Sequence, residues 1–153
     1  MNVILKEPKE KDSSAGLSIS TMPRLNPTLP ISRSELLPLV NKVLSALGFS
    51  DRECELSLVG DREIAALNEK FLGCVGPTNV LSFPEQDSAA PQKLGLVVLS
   101  VDALTREARL YGQEPRAYLV RLLCHGFLHL AGFGHGLEMD EITDAVVDYV
   151  HAC

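Results

Sequence analysis

PRAYLVRLLCHGFLHLAGFGH, residues Pro115 to His135, decides how this chain folds. Proline is tolerated in a first helical turn, and the residues that follow are apolar on nearly every side, so a helix is expected from Pro115 to about Ala131. A helix apolar all round belongs in the middle of a fold. Its polar exceptions are Arg121, His125 and His129, at successive intervals of four. The direction of projection drifts only about 40° per such step, so the three side chains share one face, the expected floor of a cleft. Gly132 offers the left-handed conformation that commonly ends a helix, which lets the chain reverse and return His135. Two imidazoles one turn apart, about 6 Å, can bite one ion, and a third folded back from the turn can complete the set. Three protein ligands with a position left for water describe a catalytic zinc site rather than a structural one. The expected metal ligands are His125, His129 and His135.

Outward from that helix, the pattern alternates between strands and helices. Leu17–Thr21, Cys54–Val59 and Thr78–Phe83 alternate or read as edge strands, and Leu94–Ser100 is apolar enough for a sheet centre. Helices are expected from Ser32 or Ser34 to Leu47, from a capping Asp61 to Lys70, from Val101 to Tyr111, and from Met139 to His151. The fold class is therefore α+β: a small mixed sheet of four strands packed with about five helices around one buried helix. Residues 1–16 mix charge, proline and serine and are expected to be loosely held, with 17–153 forming a single domain.

Composition narrows the function. An apolar content of 46% with 22% charged residues fits a soluble globular chain, and no apolar run approaches the roughly 20 residues that span a bilayer. With no signal-like N-terminus, a cytoplasmic location is expected, without membrane partners. Cys54, Cys74, Cys124 and Cys153 form no CxxC pair, so reduced thiols are expected, Cys124 as core packing. A net charge of −6 argues against coating nucleic acid by bulk electrostatics. Its distribution is uneven, however. Arg106, Arg109, Arg116 and Arg121 precede the histidines and every charged residue after Arg121 is acidic, so a local basic strip remains available to a phosphate backbone.

At this point the chain resembles the YbeY family of bacterial rRNA maturation factors, described as zinc-dependent endoribonucleases. The family helix reads H-G-x-L-H-L-x-G-[YF]-D-H, and His125, Gly126, Leu128, His129, Leu130, Gly132, Phe133 and His135 stand in matching places. PTNVLSFP, Pro77 to Pro84, resembles a second signature; Leu67, Asn68 and Phe71 fit the stretch before it, and Leu94 with Gly95 the strand after it. The likeness runs from about residue 17 to the end. Three positions depart from it: Gly134 stands at an aspartate position, Leu72 at an arginine position, and Leu96 at the acidic position of an LGD pattern. Arg121, on the histidine face, is a candidate for supplying some of the missing charge.

The resemblance implies one Zn2+ per chain, single-stranded rRNA as substrate with the 3′ end of 16S rRNA as the associated task, and the small ribosomal subunit as partner; DNA is not implied. Chemically, three neutral imidazoles leave an ion's charge uncompensated, lowering the pKa of water from about 15.7 to about 7 in a favourable site. Asn79 and Ser82 are expected near the cleft as hydrogen-bonding groups for RNA, and Arg121 as a charge on the phosphoryl oxygens. Two rivals stand beside this reading. A non-catalytic, metal-stabilised assembly factor would use its acidic surface against basic ribosomal proteins. A zincin-like peptidase would need a carboxylate after the first histidine, where this chain has Gly126.

Overall fold

The computed structural model describes residues 10–14, 16–22 and 29–151. Five strands form one sheet in the order β1-β2-β3-β5-β4: β1 Glu10–Ser14, β2 Leu17–Thr21, β3 Glu53–Val59, β4 Val80–Pro84 and β5 Lys93–Ser100. β2, β3 and β5 run parallel, while β1 and β4 are antiparallel edge strands. Five helices complete it: α1 Arg33–Ala46, α2 Asp61–Leu72, α3 Val101–Leu110, α4 Pro115–Leu130 and α5 Leu137–His151.

The α+β class, the mixed sheet and the five helices agree with the expectation, and β5 lies inside the sheet as its apolar run requires. The fifth strand is new. Glu10–Ser14, expected to be loosely held because of their charge, pair with β2 across a hairpin turned at Gly16, whose φ is 102°. Charged residues suit an edge strand because they deter pairing with other chains. Residues 1–9 and most of the proline-rich turn after β2 lie outside the described residues. Among the described residues, no helix is long and apolar enough to cross a membrane.

The core is built from rows across the sheet. Ile19, Leu56 and Val97 stand side by side on β2, β3 and β5 and are all buried. On this face lies α4, with Leu119, Val120, Leu122, Leu123, Cys124, Phe127 and Leu128 buried, as its all-round apolar pattern demands. Its start is fixed by Glu114, whose carboxylate accepts from the backbone N–H of Arg116 at 3.0 Å and Ala117 at 2.8 Å, with Pro115 next in line.

One local expectation changes. Gly60, not Asp61, caps α2, and Glu63 accepts the Gly60 N–H at 3.0 Å. The Asp61 carboxylate is instead bound by Arg106 at 2.8 Å and by the Ser100 hydroxyl at 3.1 Å, which clips α2 to α3. An arginine 45 residues away outcompeted the local cap.

Candidate functional site

A helix can carry ligands toward an open cleft only if its opposite side lies tightly on something, and Gly126 provides that. A Cβ there would stand 2.7 Å from Val97 Cγ1 and 3.3 Å from Val80 Cγ1, so only glycine lets α4 settle on β4 and β5 at this depth. The Ser82 hydroxyl donates to the Gly126 carbonyl at 2.8 Å, fastening β4 to the helix between its two histidines. Between Leu119 and Leu130, only Arg121, His125 and His129 escape full burial.

The end of α4 sets the third histidine. Gly132 has φ 96°, its N–H donates to the His129 carbonyl at 3.0 Å, and the Phe133 N–H donates to the Leu128 carbonyl at 3.0 Å. This is the Schellman arrangement that the glycine forecast. Having turned, the chain presents the Phe133 carbonyl 2.9 Å from His129 Nδ1. A carbonyl oxygen only accepts, so Nδ1 carries a hydrogen, and in the neutral ring the lone pair is then on Nε2. The turn thus fixes the ligand-competent tautomer of the residue that began it.

His135 follows, exposed and flanked by Gly134 and Gly136. Its ring centre is 4.5 Å from that of His129 and 6.4 Å from that of His125. Three imidazoles on one tetrahedral ion at ordinary metal–nitrogen lengths have ring centres about 5 Å apart. The observed separations bracket that figure, and both involve the exposed His135 ring. As the side chains stand, no group of three or more His, Cys, Asp or Glu among the described residues has metal-holding geometry. A shared ion would need the His125–His135 separation to shorten. Burial, followed by the neighbouring His129 and His135, holds His125 below its ordinary pKa against the pull of Asp140, so it is neutral and donor-competent near pH 7.

The remaining expected site residues have partners within the fold. Arg121 Nη1 meets Asp144 Oδ1 of α5 at 2.8 Å. Asn79 donates to Glu107 Oε1 of α3 at 3.0 Å, and Ser82 is committed to Gly126. These contacts position elements around the histidines. Cys124 is buried and its thiol is pushed up to about 12 by burial, consistent with packing. Gly126, where a peptidase would carry its base, faces the sheet and bears no carboxylate. Of the three departures, Leu72 is 58% exposed at the end of α2, Leu96 is half-buried on β5, and a Cβ at Gly134 would meet nothing within 4 Å.

Sequence reading missed the Phe133 carbonyl, which has no side-chain signature.

Comparison with known proteins follows this geometry. The model of the family Endoribonuclease YbeY matches residues 26–145. Endoribonuclease YbeY of Oleidesulfovibrio alaskensis is 41% identical over 139 residues, covering 77% of this chain and 82% of that protein. Its counterpart in Nitratidesulfovibrio vulgaris is 40% identical over 135 residues, covering 76% and 83%. The solution structure of TM1509 from Thermotoga maritima superposes with a TM-score of 0.59 at 29% identity, over 78% of this chain and 84% of that one.

Proposed function

This chain belongs to the Endoribonuclease YbeY family, and we propose that it is a zinc-dependent single-strand endoribonuclease that acts in rRNA maturation, at the 3′ end of 16S rRNA on the small ribosomal subunit. The observation that carries the metal part of the reading is the tautomer of His129. Its Nδ1 is engaged by the Phe133 carbonyl, and its ring centre lies 4.5 Å from that of His135. Metal-bound histidines ordinarily have this outer partner, which orients the ring and raises its basicity.

His125, His129 and His135 would hold the ion, all as neutral imidazoles. Such an ion supplies Lewis acidity toward a phosphoryl oxygen and brings water into its reactive form near neutral pH. Zinc is preferred among the metals that imidazole accepts because of the family's nature; ligand type alone also suits nickel, copper and iron. The chain's own residues do the rest. α4, seated through Gly126, keeps two donors in register, and the glycines around His135 leave the third free to close. Arg121 is paired with Asp144 through Nη1, which leaves its other N–H groups as what it can offer a phosphate.

That last pairing favours a second reading, a metal-stabilised assembly factor that binds the small subunit without cutting. Purified protein given single-stranded RNA, with and without chelator and beside a His129→Ala control, separates the two. Cleavage lost in both treatments and restored by zinc is expected. Binding with no cleavage selects the assembly factor, and cleavage that survives both treatments contradicts a metal-dependent site in this chain.

A further inference from the structure

α4 and α5 lie side by side in opposite directions, in a register that their side chains reveal. Arg121 Nη1 of α4 meets Asp144 Oδ1 of α5 at 2.8 Å, and the carboxyl of Glu114, at the start of α4, feels the charge of His151 at the end of α5. Four residues onward along α4 and four back along α5 advance both helices by the same distance, about 6 Å. His125 is therefore level with Asp140. Asp140 and Asp144 are four apart and project from one face of α5, the face that reaches Arg121. Met139 and Thr143, buried beside them, seat this part of α5 in the core. Glu138, two residues before Asp140, projects about 160° away around the helix. Of the charged groups that act on His125, Asp140 is the one carboxylate.

The fold gives that carboxylate no cation at its own level. Asp144 is taken by Arg121, whereas α4 carries a histidine opposite Asp140. No lysine or arginine follows Arg121 in the chain, so α5 has none of its own. The turn that brings His135 back has no charge to offer either, since the residues flanking His135 are Gly134 and Gly136. An anion thus stands beside a set of imidazoles with nothing to balance it. It would repel a phosphate and attract a metal ion.

Resting on the zinc reading above, we propose that Asp140 is the counter-charge of the three-histidine site, a carboxylate that draws a divalent cation into a set of neutral ligands. Coulomb attraction acts across a gap, so the role requires no bond from Asp140 to the ion. A doubly charged ion gains twice what a proton would gain from the same carboxylate at the same distance, so the arrangement favours metal over protonated rings. Asp140 is in this sense a positioning residue. It holds the ion in place through charge and leaves the ligation to the histidines.

The test measures metal affinity rather than cleavage. The full chain, purified without a histidine tag and stripped of metal, is titrated with zinc in competition with a chelator. Asp140→Asn is expected to bind zinc about tenfold more weakly than the parent, and Asp140→Glu to retain the parent's affinity. Asp148→Asn, the same change in net charge about 12 Å further along α5 and beyond the screening length, is expected to stay within about twofold. Adding Gly134→Asp to Asp140→Asn should restore binding, because it returns a carboxylate to the site from the other side. Affinity of the parent should also fall more steeply with added salt than that of Asp140→Asn, since screening removes what the variant already lacks. Asp140 is exposed, so its variants keep the fold. Zinc affinity within about twofold of the parent in Asp140→Asn, or an equal loss in Asp148→Asn, overturns the counter-charge while the histidine site stands. A parent that takes up no zinc overturns the site itself, and this role with it.

Discussion

Glycine at position 126 is the residue on which the histidines' placement turns. Alanine is the better helix former by about 1 kcal/mol. Even so, Gly126→Ala is predicted to destabilise the chain by about 1–3 kcal/mol, because its methyl meets Val97 at a distance that backbone or side chain must relieve. A fall in the urea midpoint without a change in slope would show it; a rise would mean that α4 sits less tightly than described. Gly134 is the opposite case. A side chain there meets no atom within 4 Å, so Gly134→Asp should fold normally and tighten metal binding, measured by competition with a chelator, by placing a carboxylate beside His135. Both glycines are equally plain in the sequence. Only neighbours distant along the chain tell them apart. The same holds for Asn79 and Ser82, whose partners lie 28 and 44 residues away, so that their selection as RNA contacts could not anticipate that they are spent on Glu107 and Gly126.

At the scale of the element, the boundaries that could be read are those set by local chemistry. Pro115 opened α4, Gly132 closed it, and the Schellman bonds after Leu128 are of the kind such a glycine produces. Glu114 adds a cap that reading from the proline onward overlooked; Glu114→Ala should cost about 1 kcal/mol in a denaturant titration while leaving the histidine geometry intact. The clip between α2 and α3 was illegible because its ion pair is long-range, and it carries a pH signature. Hydrogen bonding from Arg106 holds the Asp61 carboxyl below the usual carboxylate range, with Ser100 assisting against the effect of burial. A depressed carboxyl contributes its stabilisation in full above its unfolded value, about 3.9, and loses it as pH falls through the lower folded value. Stability of the parent should therefore drop more steeply with acid below about pH 4 than that of Asp61→Asn. Parallel acid profiles would remove the ion pair from the account.

For the whole molecule, a helix apolar on every side had to lie between layers, and the sheet of β2, β3, β5 and β4 beneath it with α5 against it is the solution the pattern required. The edge strand β1 escaped notice because five polar, charged residues signal solvent, and only pairing with Leu17–Thr21 makes them a strand. The site follows the same division: the spacing of His125 and His129 is helical arithmetic, whereas the direction of His135 depends on how a glycine-rich turn is held. The central claim is that these three imidazoles share one ion, and metal analysis of the chain purified without a histidine tag tests it most directly. The account predicts one equivalent of zinc in the parent protein and its loss in His125→Ala, His129→Ala and His135→Ala alike. Protein that takes up no metal when zinc is supplied, or that keeps its metal in those variants, would contradict it.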